Sequence, residues 1–446
     1  MTARLIFASI ICVTPYGYLH SQLRDVFLRR EPLIAATFGS STNFNSRISR
    51  QAPLVFPGLL EKEALNAGNP LATYAAMLDM KSEYLKSGTF AAIYPEIRAN
   101  FEEFLGFPMA GVQAMSLPAF QKTVPTTEAA IPPSFKPEHA LKVIEREAGK
   151  TRIVVLGEEH HLPQTRSLYE PLLRALWQQG YRYLAAETFA DQVMNREFKS
   201  PDYNSGYYLL DPVFASAVRT ANDLGYKLIA YDTRERDPNG GTSFRDRRQA
   251  ENIKQRIFDR DPHAKVLILA GRGHASEEPT QDGWTPMASV LKRLTGIDPL
   301  TVYTPTMSQR LTPEEEDPLY RFAISRGLVK EPTIFSGTDG RLLGSDSFDA
   351  YVFWPRIRIF QGRPDWMEHT LGRKRTQIPG RLRRGKGLRL VQAFREGDGA
   401  WSIPVDQVVL DESDQVKVLM LPPGRFWLRT IDRTSRVIAT SRTSVP

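Results

Sequence analysis

A chain of 446 residues is too long for one hydrophobic core and implies two or three domains. With 41% hydrophobic and 24% charged residues it has globular composition, which excludes disordered, fibrous and collagen-like classes. The net charge of +8 attracts anionic surfaces but is spread over a long chain, and the single cysteine, Cys12, excludes an intramolecular disulfide framework.

The chain opens with one charge, Arg4, before the apolar run Leu5 to Val13. That pattern resembles a short signal peptide, without a clean small-x-small cleavage site, and its other reading is a short strand or helix. Exported (periplasmic) and cytoplasmic placements fit equally. The run is well short of the roughly 20 apolar residues of a transmembrane helix, and no later stretch reaches that length, so no membrane span is expected. Residues 1–50 read as a signal-like or irregular N-terminus. Residues 51–137 read as a helical module in which Leu71, Tyr74, Leu78 and Leu85 fall near one face, closed by the Pro/Thr-rich linker 122–137.

From 138 to 345 the texture becomes α/β. "RIVVLG" is followed by an amphipathic helix over about 164–179, with Leu168, Leu172, Leu173 and Leu176 on its apolar face and Gly180 closing it. "YRYLAAE" is the next strand, then a helix over 211–224, the strand "KLIAYD", a helix over 244–259 with Ser243 as N-cap, "AKVLILAG", a further helix and "LTVYT". This alternation predicts a mainly parallel sheet flanked by helices. Residues 346–446 lose the helices and read as a β-rich, sandwich-like domain of short antiparallel strands. "FDAYVFWPR" is expected to close the α/β sheet, with its aromatics in the core. The run Arg373–Arg389, eight Lys/Arg without an acid, reads as a solvated loop, so nucleic acid is not an expected partner.

The strand ends carry the chemistry. The first releases Glu158, Glu159, His160 and His161, and the next ends in Glu187. The third ends in Asp232, and the fourth is followed by His274. In a parallel sheet these ends share one edge, where ligands of open α/β sheets bind. Singly, each has a plain alternative: a solvated side chain for Glu159 and one histidine, a helix cap for Glu187 or Asp232. Their conjunction on one edge predicts a functional cleft. In "SFRDRRQAEN", Arg245, Arg248 and Asn252 are spaced to share a helix face and could offer donors to an oxyanion or carboxylate.

"LGEEHH", "YLAAE", "RDRRQAEN" and "LILAGRGHA" together resemble the motif succession of the erythromycin esterase family, whose relatives are the ChaN-like haem-binding and TraB/Tiki proteins. The resemblance covers about residues 150–277. Glu158 and His161 match the first motif, Glu187 the second, Arg245, Asp246, Ala250 and Asn252 the third and His274 the last. Gln249 stands where the esterase helix usually has methionine. "GRGH" is closer to the ChaN-like form, and His160 supplies that group's G-E-x-H spacing, so His160 and His161 are alternatives.

No G-x-S-x-G elbow, H-E-x-x-H helix or Walker loop occurs, and water activation by a histidine is what the residues support. In a hydrolase reading His161 deprotonates water, Glu158 or Glu187 orients the ring, His274 serves the leaving group or carbonyl, and Arg245 or Arg248 steadies the oxyanion. The resemblance implies ester or lactone substrates. A second reading makes Glu158, His160, His161, Glu187 and His274 ligands of Zn, Mn or Fe in a metal-dependent hydrolase of small molecules or peptides. A third is a non-enzymatic haem binder with a histidine or tyrosine axial ligand. The sequence does not fix the oligomeric state.

Overall fold

The computed structural model describes residues 68–446, save 87, 117–128, 234, 236, 238–242, 400 and 415. The signal-like run, Cys12 and residues 122–128 of the Pro/Thr-rich linker lie outside the described residues. Among those described, no helix is long and apolar enough to cross a membrane.

Among the described residues four helices come first: α1 (Pro70–Asp79), α2 (Lys81–Lys86), α3 (Gly88–Phe104) and α4 (Ala110–Met115). Then β1 (Phe135–His139) and α5 (Ala140–Ala148) lead into β2 (Ile153–Glu158), α6 (Pro163–Arg166), α7 (Tyr169–Gln178) and β3 (Tyr183–Ala186). The chain continues through α8 (Pro212–Leu224), β4 (Lys227–Ala230), α9 (Phe244–Ile253), β5 (Val266–Gly271), α10 (Met287–Thr295) and β6 (Leu300–Tyr303). After α11 (Pro318–Ser325) and β7 (Thr333–Gly337), β8 (Ala350–Tyr351) completes a six-stranded sheet of order β4-β3-β5-β2-β6-β8. Every pairing in it is parallel.

The sheet is central because its strands are apolar on both faces. β2 and β5 are buried at all six positions, as parallel strands covered by helices on both sides must be. Their alternation sorts the core into two layers. Val154, Leu156, Leu267 and Leu269 pack with α5, α7 and α8 on one face. Ile153, Val155, Val266 and Ile268 pack with α9 and α10 on the other. The helix α8 has conventional ends: the Asp211 side chain accepts from Val213 N, Pro212 opens the first turn, and Gly225 closes it at φ 93°.

Beyond the sheet the chain forms β9 (Ile359–Phe360), β10 (Arg363–Pro364), β11 (Lys374–Gln377), β12 (Arg389–Arg395), β13 (Asp406–Leu410), β14 (Val418–Leu421), β15 (Gly424–Asp432) and β16 (Val437–Val445). Four of these make an antiparallel sheet of order β13-β12-β15-β16, and β11 pairs with β14. Leu71, Tyr74, Phe101 and Leu105 of the first helices pack on Leu390, Val409 and Ile431 of that sheet.

Four local expectations are revised. The helix over 164–179 is two helices, broken at Ser167–Leu168. Leu85 is exposed rather than on the apolar face, because the chain turns between α1 and α2. Ser243 precedes α9 but makes no cap bond; its hydroxyl accepts from Thr285 N. The basic run is not a solvated loop. Arg373 and Arg389 are buried. Arg373, Arg383 and Arg389 donate to backbone carbonyls of Val405, Asp414 and Asp411 among others.

Candidate functional site at the carboxyl edge of the sheet

All the strand ends named above lie on one edge, and the residues leaving β2 divide between two sides. Glu158 and His160 turn toward α6 and α7. His160 Nδ1 lies 3.1 Å from Glu158 Oε1, and the ring stacks on Tyr208 at 3.9 Å between centroids. Glu159 turns the other way and pairs with Arg272 at 3.0 Å. His161 is buried, and its carbonyl oxygen packs so closely under Gly111 of α4 that a β-carbon there would overlap it. The turn that follows β2 therefore separates the two histidines, which the sequence leaves as alternatives. His160 borders the centre of the edge and His161 is packed beneath the helical layer.

Glu158 is the most heavily held carboxylate. Arg166 Nε donates to it at 3.1 Å, the Tyr169 hydroxyl also donates, and Arg166 Nη2 reaches the His160 carbonyl at 3.0 Å. Burial would raise its carboxyl, but the Arg166 charge and the His160 contact override that and hold it at about 2. Arg166 is fully buried and shared with Glu103 of α3 and with Asp211, 2.9 Å away. Three carboxyls on one guanidinium cannot all ionise. Burial, with repulsion from Asp211 and Glu158, keeps the Glu103 carboxyl well above its ordinary range despite Arg166.

A second cluster forms around His274, three residues past β5. Its Nδ1 lies 2.6 Å from Asp246 Oδ1. That carboxylate also accepts from Trp284 Nε1 and from Met287 N, each at 2.8 Å, so Asp246 is fixed from three sides. Burial works against the imidazolium, but Asp246 and then Glu187 outweigh it, and His274 is raised above its ordinary value. Arg245 joins the cluster to its neighbours: it donates to Asp232 at 2.9 and 3.0 Å and to Glu187 at 2.5 Å, and its Nη1 lies 3.2 Å from His274 Nε2.

Glu187 is the meeting point. Its Oε2 accepts from Gly271 N at 2.8 Å, and its Oε1 is 3.9 Å from His274 Nε2. A β-carbon on Gly271 would stand 3.1 Å from both Glu187 Oε2 and His160 Nε2, so the glycine keeps that space open. Burial opposes its charge, but Arg245, His274 and His160, with the Gly271 N–H, hold its carboxyl well below the usual range.

The edge thus gathers Glu158, His160, Glu187, Asp232, Arg245 and His274, with Glu159 beside them. It does not gather Arg248, which pairs with Glu235 and Glu251, or Asn252, which donates to the Tyr231 carbonyl. Sequence reasoning did not assign a role to Arg166, Tyr169, Glu103, Asp211, Tyr208 or Trp284. Asp246 matches the third motif, but the motif alone assigns it no chemical role. For Glu103, in a different layer of the fold, no local pattern pointed to the contact.

The donor set as arranged does not fit a divalent metal. The carboxylates of Glu158 and Glu187 are taken by guanidinium, hydroxyl or N–H donors, and the Arg245 cation stands among them, 3.2 Å from His274 Nε2. Among the described residues no three His, Cys, Asp or Glu side chains form a metal-holding group. Haem needs a flat apolar slot beside an axial ligand. His160 has one face covered by Tyr208 and its Nε2 bordered by Glu187.

The chain matches no family model and no curated protein. Among solved structures it is similar to the type III effector HopBA1, at 15% identity and TM-score 0.28, over 42% of this chain and 96% of that one. It is also similar to ChaN of Campylobacter jejuni, a structure described by its cofacial heme binding, at 14% identity and TM-score 0.30, over 41% of this chain and 94% of that one.

Proposed function

We propose that this chain is a hydrolase that activates water with two imidazoles, His160 and His274, at the carboxyl edge of the parallel sheet, and cleaves an ester or lactone. The observation that carries this reading is the matched anchoring of the two rings. Each has its Nδ1 against a buried carboxylate, Glu158 or Asp246, and both rings lie near enough to Glu187 to lower its carboxyl. Such anchoring fixes the tautomer and leaves Nε2 to exchange a proton with a reactant.

The roles divide by charge. Glu158 is paired directly with Arg166. The hydrogen bonds to Asp246 besides that of His274 come from Trp284 Nε1 and Met287 N, and Asp246 with Glu187 outweighs burial and the nearby Arg245 to favour the imidazolium at His274. His160 is the base and His274 the acid. His160 Nε2 takes a proton from water as the oxygen bonds to the carbonyl carbon. The bond from that carbon to the alkoxy oxygen breaks, and His274 Nε2–H protonates the departing oxygen. The proton on His160 returns to His274 through solvent. Arg245, engaged by Asp232, Glu187 and His274, is a positioning residue rather than an oxyanion donor. His161, the base expected from the sequence, is too enclosed for this work.

The test is turnover of an ester and lactone panel by the purified full chain, alongside His160→Ala, His274→Ala and His161→Ala. Loss of turnover in the first two and its retention in a folded His161→Ala supports the reading. Equal turnover in all four proteins overturns it, as does purified protein with stoichiometric bound haem or metal and no hydrolysis.

A further inference from the structure

A groove of about 630 Å³ opens where the segment between β3 and α8 meets the turn between β12 and β13. Its size is that of a small-molecule site, about 300–1,000 Å³. Residues between 197 and 202 form one wall and residues between 395 and 402 the other, and no residue of the strand-end site lines it. The walls are tied together: Asp202 and Ser402 form an antiparallel bridge, and Ile403 N donates to the Pro201 carbonyl at 2.9 Å.

Its polar groups are fixed in advance. The buried Arg219 of α8 donates to Ser200 Oγ at 3.0 Å and pairs with Asp398 at 3.2 Å, so one cation holds a side chain from each wall. Asp202 Oδ1 accepts from Ser205 Oγ at 2.8 Å and Asn204 N at 2.9 Å. Such preorganisation lowers the cost of binding. Beside these groups the Trp401 indole is 60% exposed, a large apolar face left in water. Acids and bases are interleaved. Asp398 meets Arg219, Glu396 meets Arg425 and Arg395 meets Asp223, while Glu197 and Lys199 share one wall. A ligand of strong net charge of either sign therefore meets repulsion as well as attraction.

A neutral ring with an apolar face and several hydroxyls suits both parts. Its C–H face covers the indole, and its hydroxyls donate to carboxylates and accept from hydroxyl and ammonium groups. We propose that this groove binds a carbohydrate, a mono- or disaccharide, with Trp401 as the stacking platform. The proposal stands apart from the hydrolase reading, because it uses none of the same residues.

The test follows the indole N–H resonance of Trp401 in the full chain, assigned by its loss in Trp401→Ala. The probes are maltose, cellobiose, lactose and diacetylchitobiose, with adenosine and tetramethylammonium chloride as the competing chemistries. Saturable movement with at least one sugar is expected, and calorimetry should show binding about tenfold or more weaker in Trp401→Ala. Glu197→Ala, at an exposed position, should weaken it about two- to fivefold. No movement with any of the four sugars overturns the proposal, as does equal affinity in Trp401→Ala. Movement with adenosine or tetramethylammonium in place of the sugars overturns it too.

Discussion

His160 and His161 are adjacent and chemically identical, yet their surroundings give them different duties. The turn after β2 puts His160 between Glu158 and Tyr208 and puts His161 beneath Gly111. General acid–base groups contribute about 10²–10⁴-fold, so His160→Ala and His274→Ala should each lower kcat by that order, with KM changing little. Asp246→Asn tests the anchoring. An amide in place of the carboxylate removes the main charge that raises His274, so the alkaline limb of the pH–rate profile should move to lower pH. A purely structural role would reduce the amount of folded enzyme and leave that limb in place. The same shift has a stability sign. A histidine raised in the folded state stabilises fully below its unfolded value of about 6.5, and that contribution is lost as pH rises through the raised value. Denaturant titrations in the wild-type protein should therefore show less stability at pH 9 than at pH 6 from this group, and Asp246→Asn should lose the difference.

At the scale of elements, the parallel strands were legible because they are apolar at every position, bounded by glycine and charge, and spaced by amphipathic helices. β2, β3, β4, β5 and β6 all lie within the runs that the pattern marks. Gly180 and Gly225 were legible for a local reason, since both adopt positive φ where a helix must stop. What the pattern could not reveal was which sides of the strand-end residues meet other layers. Arg166 and Tyr169 read as ordinary residues of an amphipathic helix, and only the turn of α6 and α7 over β2 brings them to Glu158. The break at Ser167–Leu168 is what allows it, by letting α6 present Arg166 inward while α7 keeps Leu172, Leu173 and Leu176 in the core. Leu172→Ala should cost about 2–5 kcal/mol of unfolding free energy, as full burial implies. Gly111→Val should damage the site itself, since the new side chain would displace the His161 carbonyl and the loop that carries His160. Loss of turnover with retained secondary structure by circular dichroism is the expected result.

Across the whole molecule, the helical layer and the sheet edge are joined through one buried cation. Glu103 comes from α3, Glu158 from β2 and Asp211 from the N-cap of α8, and Arg166 holds all three. Removing it with Arg166→Met leaves buried carboxylates uncompensated and should cost about 3–5 kcal/mol, whereas Glu103→Gln should cost less, because burial holds that carboxyl well above its ordinary range and so toward the neutral form. Acid has the opposite effect on Glu158. Its carboxyl titrates at about 2 against an ordinary 4.5, so its contribution is full above 4.5 and fades as pH falls toward 2. No sequence window of ordinary length contains this arrangement, because residues 103, 166 and 211 are brought together only by tertiary packing. The central claim is that two carboxylate-anchored imidazoles work as an acid–base pair at this edge. The most direct measurement is the pH–rate profile of ester hydrolysis by the wild-type chain, His160→Ala and His274→Ala. The account predicts a bell-shaped profile whose acidic limb disappears with His160 and whose alkaline limb disappears with His274, the residual rate being small in both. A profile that keeps both limbs in either variant would contradict it.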